Sequence, residues 1–400
     1  MKILYTHRTQ GRAAEGAHVA GMVEAFRELG HEVTVDCLAG CDPTRPAPVA
    51  SGDGVVPPKV GAVHRVMTSV SKHAPQWLFG VLEILYNLPL AVRLIPQLVR
   101  DRPDLVYERY ALCTFVPALA CKWMGIPHVL EVNDSVVIER SRPLKLARVS
   151  RFIEQRVVNW TRVVITISQV FRKQMLEGLN VEADKILVYP NAVSRRRFID
   201  RKPLTPEDRQ QRKKALGLMS QRVIGSAGQF LAWHGLPRFL AAAAPTIERL
   251  DLSVLFIGDG PVREETLLAA KQHGIADRVR FTGMVHHTTV PDYLNLLDVA
   301  VIPFNNLHCS PMKLMEFMAM GLPVLAPALP SVLAVMESGK TGFVFPCEDM
   351  PAMLSDMTRC LEHPALMEAV GRSAQAFAAN HLTWDVHARA ILEHMNLARS

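Results

Sequence analysis

The chain has 400 residues, 49% hydrophobic and 21% charged, a globular composition on a chain too long for one ordinary core. Its seven cysteines, at 37, 41, 113, 121, 309, 347 and 360, form no CxxC pair; this excludes a zinc ribbon or disulfide framework and fits reduced thiols in a cytoplasmic protein. The net charge of +7 lies wholly in residues 1–200, where 26 Lys and Arg face 19 Asp and Glu, and no helix-turn-helix, zinc-finger or aromatic RNA-binding signature makes nucleic acid its partner.

In chain order, Lys2–Thr6 reads as a strand and Arg8–Gly16 as a polar loop. Gly16, without a Cβ, would let that loop approach a ligand closely. His18–Leu29 reads as a helix stopped by Gly30, and Glu32–Asp36 as the next strand. The opening MKILYTHRTQ is too short an apolar run for a signal peptide. Trp77–Leu98 is longer, but Glu83, Pro89 and Arg93 interrupt it, so it is not expected to span a bilayer. Leu105–Glu108, His128–Val132 and Val163–Ile167 read as buried strands, with helices at Phe115–Trp123 and Ala147–Thr161.

Ser194–Lys214, charged and proline-containing, reads as a linker, and the alternation restarts after it. Arg222–Ala227 and Ser253–Ile257 are strands, with helices at Pro237–Arg249 and Pro261–His273. Val279–Thr282, Val299–Pro303, Val324–Ala326 and Gly342–Val344 follow as further strands. Two βαβ series with a polar connector predict two Rossmann-like domains, each with its ligand edge at the strand carboxyl ends and a cleft between them.

The most informative stretch is Ser310–Pro327, SPMKLMEFMAMGLPVLAP. A helix starting near Ser310 would offer free amides and a positive dipole end to a diphosphate, with Lys313 adding a charge. Glu316, one turn on, is placed to accept from vicinal hydroxyls such as those of a ribose. A capped core helix with a solvated Lys and Glu would carry the same residues. The polar groups Glu131, Asn133 and Asp134 fall at the carboxyl end of the strand His128–Val132, where it should meet the cleft, Glu131 being either catalytic or a buried structural carboxylate. There is no Asp-x-Asp and no Cys/His cluster, so no metal and no other cofactor is expected. A dinucleotide-dependent oxidoreductase is disfavoured, because Arg8–Gly16 lacks the G-x-G-x-x-G spacing.

SPMKLMEFMAMGLPVLA resembles the signature of glycosyltransferase family 4, the retaining GT-B enzymes. EGAHVAGMVEAFRELGHEVTV, LVYERY, VLEVND, ITIS, VYPNAV, LFIGDGP, VRFTGMV and VAVIPF resemble further landmarks in the family's order, so the likeness runs the length of the chain. It implies a GT-B fold: an acceptor domain at 1–195, a nucleotide-sugar domain at 196–380, and a last helix within 381–400, around Trp384–Leu397, crossing back to the first.

By the same resemblance Gly16, Gly228, Gln229, His234, Val285, Ser310, Pro311, Met312, Lys313 and Glu316 form the donor site. The family's Glu-x7-Glu pair is kept only at its second member, Glu316; the first falls on His308, which can still hydrogen-bond a sugar hydroxyl. The family's arginine and lysine after the first strand of the second domain become Gln229 and His234. Lys313 is left as the diphosphate's cation, with Arg8 or Arg12 of the opposing loop able to contribute, Arg12 on the acceptor side.

The implied activity is transfer of a hexose, with retention, from a nucleotide sugar, most often UDP-linked. The implied acceptor is a glycan or polyprenyl-linked glycan of the exopolysaccharide or envelope type. The basic first half and the apolar run, within residues 72–102, suggest peripheral contact with an anionic membrane from the cytoplasmic side. A GT-B protein that does not transfer, such as a sugar-nucleotide epimerase or a binding-only pseudoenzyme, is the alternative.

Overall fold

A computed structural model describes residues 1–9, 13–37, 42–44, 76–138, 146–305 and 310–396. The chain divides into two compact units, Met1–Pro190 with Ala388–Ser400, and Asn191–His387.

The described elements of the first unit are β1 (Lys2–His7), α1 (Ala13–Glu28), β2 (Glu32–Cys37), α2 (Gln76–Leu85), α3 (Asn87–Asp101) and β3 (Leu105–Arg109), then α4 (Val116–Met124), β4 (His128–Val132), α5 (Ala147–Trp160), β5 (Val163–Thr166), α6 (Gln169–Gly178) and β6 (Ile186–Val188). Its six strands run parallel in the order β2-β1-β3-β4-β5-β6. Strands covered on both faces must be apolar nearly throughout, and β1 and β3 are: Ile3, Leu4, Tyr5, Leu105, Val106 and Tyr107 are all buried. Chain order reverses between β1 and β3, and the carboxyl ends of that pair are where an open parallel sheet leaves a crevice.

In the second unit α7 (Arg195–Phe198), α8 (Pro206–Ala215), β7 (Arg222–Ala227), α9 (Leu236–Arg249), β8 (Leu252–Ile257) and α10 (Arg263–Gln272) lead to β9 (Val279–Phe281), α11 (Val290–Leu294) and β10 (Val299–Val301). Next come α12 (Met312–Ala319), β11 (Val324–Pro327), α13 (Pro330–Leu333), β12 (Phe343–Phe345), α14 (Met350–Glu362) and α15 (Pro364–His381). The last element, α16 (Trp384–His394), begins here, and its residues from Ala388 belong to the first unit. The sheet is again parallel, β12-β11-β10-β7-β8-β9, with its reversal between β7 and β10.

Three expectations are corrected. The segment 194–214 is not a loose linker: it carries α7 and α8. The division falls at Pro190/Asn191 because Val193 is stitched into the second unit, donating its N–H to the Leu382 carbonyl (2.9 Å) and accepting from the Trp384 N–H (3.1 Å). Gly16 lies inside α1 and not in a loop, since Ala13-Ala14-Glu15 are good helix formers that start the helix before His18. Trp77–Leu98 is not interrupted at Pro89: that proline sits harmlessly in the first turn of α3, and at the junction with α2 Tyr86 keeps helical φ −56° and ψ −25°, its N–H bonded to the Leu82 carbonyl (3.0 Å).

Candidate functional site

In the second unit the chemistry gathers at the carboxyl ends of β7 and β10. Gly228, just past β7, has φ +122°, a conformation that only glycine adopts without strain, and Lys313 lies 3.6 Å from where its Cβ would be. A Cβ on Gly258, after β8, would collide with the Gly228 carbonyl, so the bare backbone here draws the strand ends together.

α12 starts at Met312, two residues later than expected, because Ser310 is taken by another partner. Its hydroxyl accepts from the Asn191 N–H (3.2 Å) and its carbonyl from Asn191 Nδ2 (2.7 Å). The cap position is the buried Pro311, which offers the first turn no side-chain cap, although its carbonyl accepts the Leu314 N–H (2.9 Å); Met312 and Lys313 at the helix start are half-buried. The rest of the helix is anchored: Leu314, Met315, Phe317 and Met318 are fully buried, each worth about 1.5–3 kcal/mol by transfer.

Lys313 Nζ stands 5.9 Å from the Phe230 ring centroid. His234 accepts the Leu231 N–H at Nδ1 (3.0 Å), so its neutral ring carries the proton on Nε2. Burial first, and the Lys313 charge second, lower its pKa from 6.5 to about 4. His234 therefore serves as a neutral hydrogen-bond donor and not as the cation that the family's lysine provides. Gln229 is exposed, and so is Trp233, next to His234.

Glu316, only 8% exposed, lies one turn below Lys313. His287 Nε2 is 3.6 Å from its Oε1, and Arg197 contacts the other ring nitrogen of His287. Val285, half-buried, packs against the second unit's core. Sequence reasoning missed Asn191, His287 and Trp233 as individuals; the first was visible only as part of the VYPNAV landmark. His308 and Arg12 lie outside the described residues. Among the described residues no three His, Cys, Asp or Glu are grouped to hold a metal ion.

The first unit has a second constellation. Register places Arg109 beside both His7 and Glu131, with side chains on one face of the sheet. Glu131 Oε1 accepts from Arg109 (2.7 Å) and Asn133, and Oε2 from the Tyr107 hydroxyl (2.8 Å). His18, from α1, sits 3.2 Å from Oε1 and touches Arg109. Burial pushes the Glu131 carboxyl up, but His18, Arg109 and the hydrogen bonds outweigh it and hold it below the ordinary carboxylate range. A carboxylate so enclosed organises its neighbours; it is poorly placed to take a proton or attack a sugar. Asp134 follows at half exposure, with contacts of its own. Gly16 is buried on α1 near His18 in sequence.

The family profile described as Glycosyltransferase Family 4 matches residues 16–197, and that of Glycosyl transferases group 1 matches 221–363. The chain is 25% identical over 272 residues to the alpha-D-kanosaminyltransferase of Streptomyces kanamyceticus, covering 66% of this chain and 69% of that one. It is 24% identical over 390 residues to the phosphatidyl-myo-inositol mannosyltransferase of Mycobacterium leprae, covering 94% and 91%. Among solved structures, Anabaena Alr3699/HepE in complex with UDP superposes over 100% of both chains at TM-score 0.73 and 17% identity. A glycosyltransferase from Rickettsia africae covers 99% and 98%, also at 0.73, with 15% identity. With both halves matched in order and the two-sheet fold shared, the chain belongs to glycosyltransferase family 4 and is a GT-B glycosyltransferase.

Proposed function

We propose that this enzyme transfers a hexosyl group from a UDP-linked donor, with retention and without a metal, to a hydroxyl of a glycan or lipid-linked acceptor at the cytoplasmic face of a membrane. The observation that carries the donor half is the edge of the second sheet: Lys313, the uncapped amides of α12 and the neutral donor His234 beside Gly228, with Glu316 one turn away. Diphosphate against the amides and Lys313 leaves Glu316 in reach of ribose hydroxyls. Lys313 then meets the charge that grows on the departing UDP, the role a metal would otherwise take. With Glu131 enclosed, front-face attack fits best: the acceptor oxygen bonds the anomeric carbon, the carbon–phosphate oxygen bond breaks on the same side, and that phosphate oxygen takes the acceptor proton.

Support for the membrane half comes from α3. Its inner side, Leu90, Leu94 and Leu98, is buried in the first unit's core, while Leu88, Val92, Ile95 and Val99 are exposed. The helical run Gly80–Asp101 is long and apolar enough to cross a bilayer, but an inner face locked into the core suits a helix lying along the interface.

The test is release of UDP from UDP-hexoses in excess EDTA, with membrane lipid extracts as acceptor. We expect acceptor-dependent release and an axial anomeric linkage by proton NMR when the donor is α-linked. Tight donor binding with no acceptor-dependent release would favour the non-transferring alternative, to which the loss of two cations at Gln229 and His234 points. Activity restored only by Mn²⁺ or Mg²⁺ contradicts the metal-free reading.

A further inference from the structure

A small polar recess opens at the reversal point of the first sheet, at the carboxyl ends of β1 and β3. Thr6, His7, Arg8, Tyr86, Arg109 and Thr114 are among the residues that line it. The space inside, about 10 Å³, holds one oxygen atom and little more. Three of its lining residues carry polar atoms with no hydrogen-bond partner: His7 Nε2 and Thr114 Oγ1, on side chains only 4% exposed, and Glu108 Oε2. Buried polar atoms are almost always paired, so three in one recess call for an occupant.

The walls restrict its chemistry. His7 is tied at Nδ1 to Thr9 (3.0 Å). Burial, with Arg109 adding to it, lowers the His7 pKa to about 4, so the ring is neutral. Depending on its tautomer, Nε2 needs a donor or an acceptor, and Thr114 needs either. A hydroxyl meets both needs whichever tautomer is present. Two guanidiniums, Arg8 stacked 4.2 Å from the Tyr86 ring and Arg109 held by Glu131, repel an ammonium group. A phosphate is too large for the space. Glu108 Oε2, also in the lining, lies 3.1 Å from His128 Nε2 without a hydrogen bond to it and would accept from the same hydroxyl.

We propose that this recess receives one hydroxyl of a cyclic polyol, a sugar or cyclitol ring, and so recognises the acceptor through His7 and Thr114. The assignment rests on the reading of the first unit as the acceptor side. Neither residue belongs to the donor constellation, and a single-hydroxyl slot selects among rings by the position of one group.

Saturation-transfer NMR with myo-inositol and methyl α-D-glucopyranoside as probes tests it, on the full chain with UDP present. Wild type and Thr114→Ser should bind at least one of the two probes, and Thr114→Val, equal in shape, should weaken binding about tenfold. His7→Leu should do the same if it folds; retained UDP thermal stabilisation verifies the fold of each variant. Equal binding by Thr114→Val, or no transfer to either probe in wild type, overturns the proposal and leaves the recess to a structural water. Failure of wild type to bind UDP strikes the donor reading alone, and the polyol comparison stands by itself.

Discussion

Lys313 is the residue on which the donor site turns. With Gln229 and a neutral His234 where the family places cations, its Nζ stands 3.6 Å from where a Gly228 Cβ would be. Lys313→Ala should therefore lower kcat by about 10²–10³, as removal of an electrostatic transition-state stabiliser does. Glu316→Ala should instead raise the donor KM more than it lowers kcat, since a ribose contact is equally present in ground and transition states. Steady-state kinetics on both variants, with folding verified by circular dichroism, separates the two roles; two wild-type profiles would remove the donor site from α12. The residues themselves were legible in the sequence because they sit in one ordered motif. What the motif could not show is that His234 is neutral, for that depends on burial and on Lys313 arriving from a segment some 80 positions away.

At the scale of elements, the parallel strands were readable because burial on both faces leaves uninterrupted apolar runs, and His128–Val132 and Arg222–Ala227 came out with the bounds the fold gives them. Ile186–Val188 did not, since three apolar residues carry no periodicity. Gly16 was misplaced because a glycine early in a sequence motif suggests a loop, whereas three good helix formers before it extend α1 backwards.

α3 shows the two-sidedness that sequence hydropathy blurs. Its exposed and buried apolar faces predict opposite outcomes for the same kind of substitution. Val92→Glu and Ile95→Glu should abolish co-sedimentation with anionic liposomes and leave thermal stability nearly unchanged. Leu94→Glu, at 0% exposure, should unfold the first unit, because it buries an unpaired carboxylate. Binding should also fall with salt, each nearby Lys or Arg contributing about 1 kcal/mol at low ionic strength. Arg100, tied to Asp101 at 2.7 Å, should matter less than Arg102. Liposome binding that survives both exposed-face substitutions would remove α3 from the membrane contact.

For the whole molecule, three buried histidines set the response to acid. His7, His234 and His387 are each lowered to about 4, in every case chiefly by burial. Unfolded, a histidine titrates near 6.5, so between that pH and 4 the unfolded chain takes up protons that the folded chain refuses. The stability these groups contribute is complete above about pH 6.5 and is lost as pH falls toward 4, at up to about 1.4 kcal/mol per pH unit for each. His387 donates Nε2–H to the His381 carbonyl (2.9 Å), a bond that glutamine can reproduce. The thermal midpoint should drop from pH 7.5 to pH 5, and His387→Gln should drop less; an identical drop in both would show that His387 titrates normally in the native state.

The central claim, a nucleotide-sugar donor site built on α12 of the second unit, is tested most directly by thermal shift against a panel of UDP-, GDP- and ADP-sugars in EDTA, because a ligand that binds only the native state raises the midpoint by mass action. We expect UDP and at least one UDP-hexose to raise it by several degrees in wild type, about 2.7 kcal/mol at a hundredfold excess over Kd, and to lose most of that effect in Lys313→Ala. No shift with any nucleotide sugar, or a shift equally large in Lys313→Ala, would contradict the account.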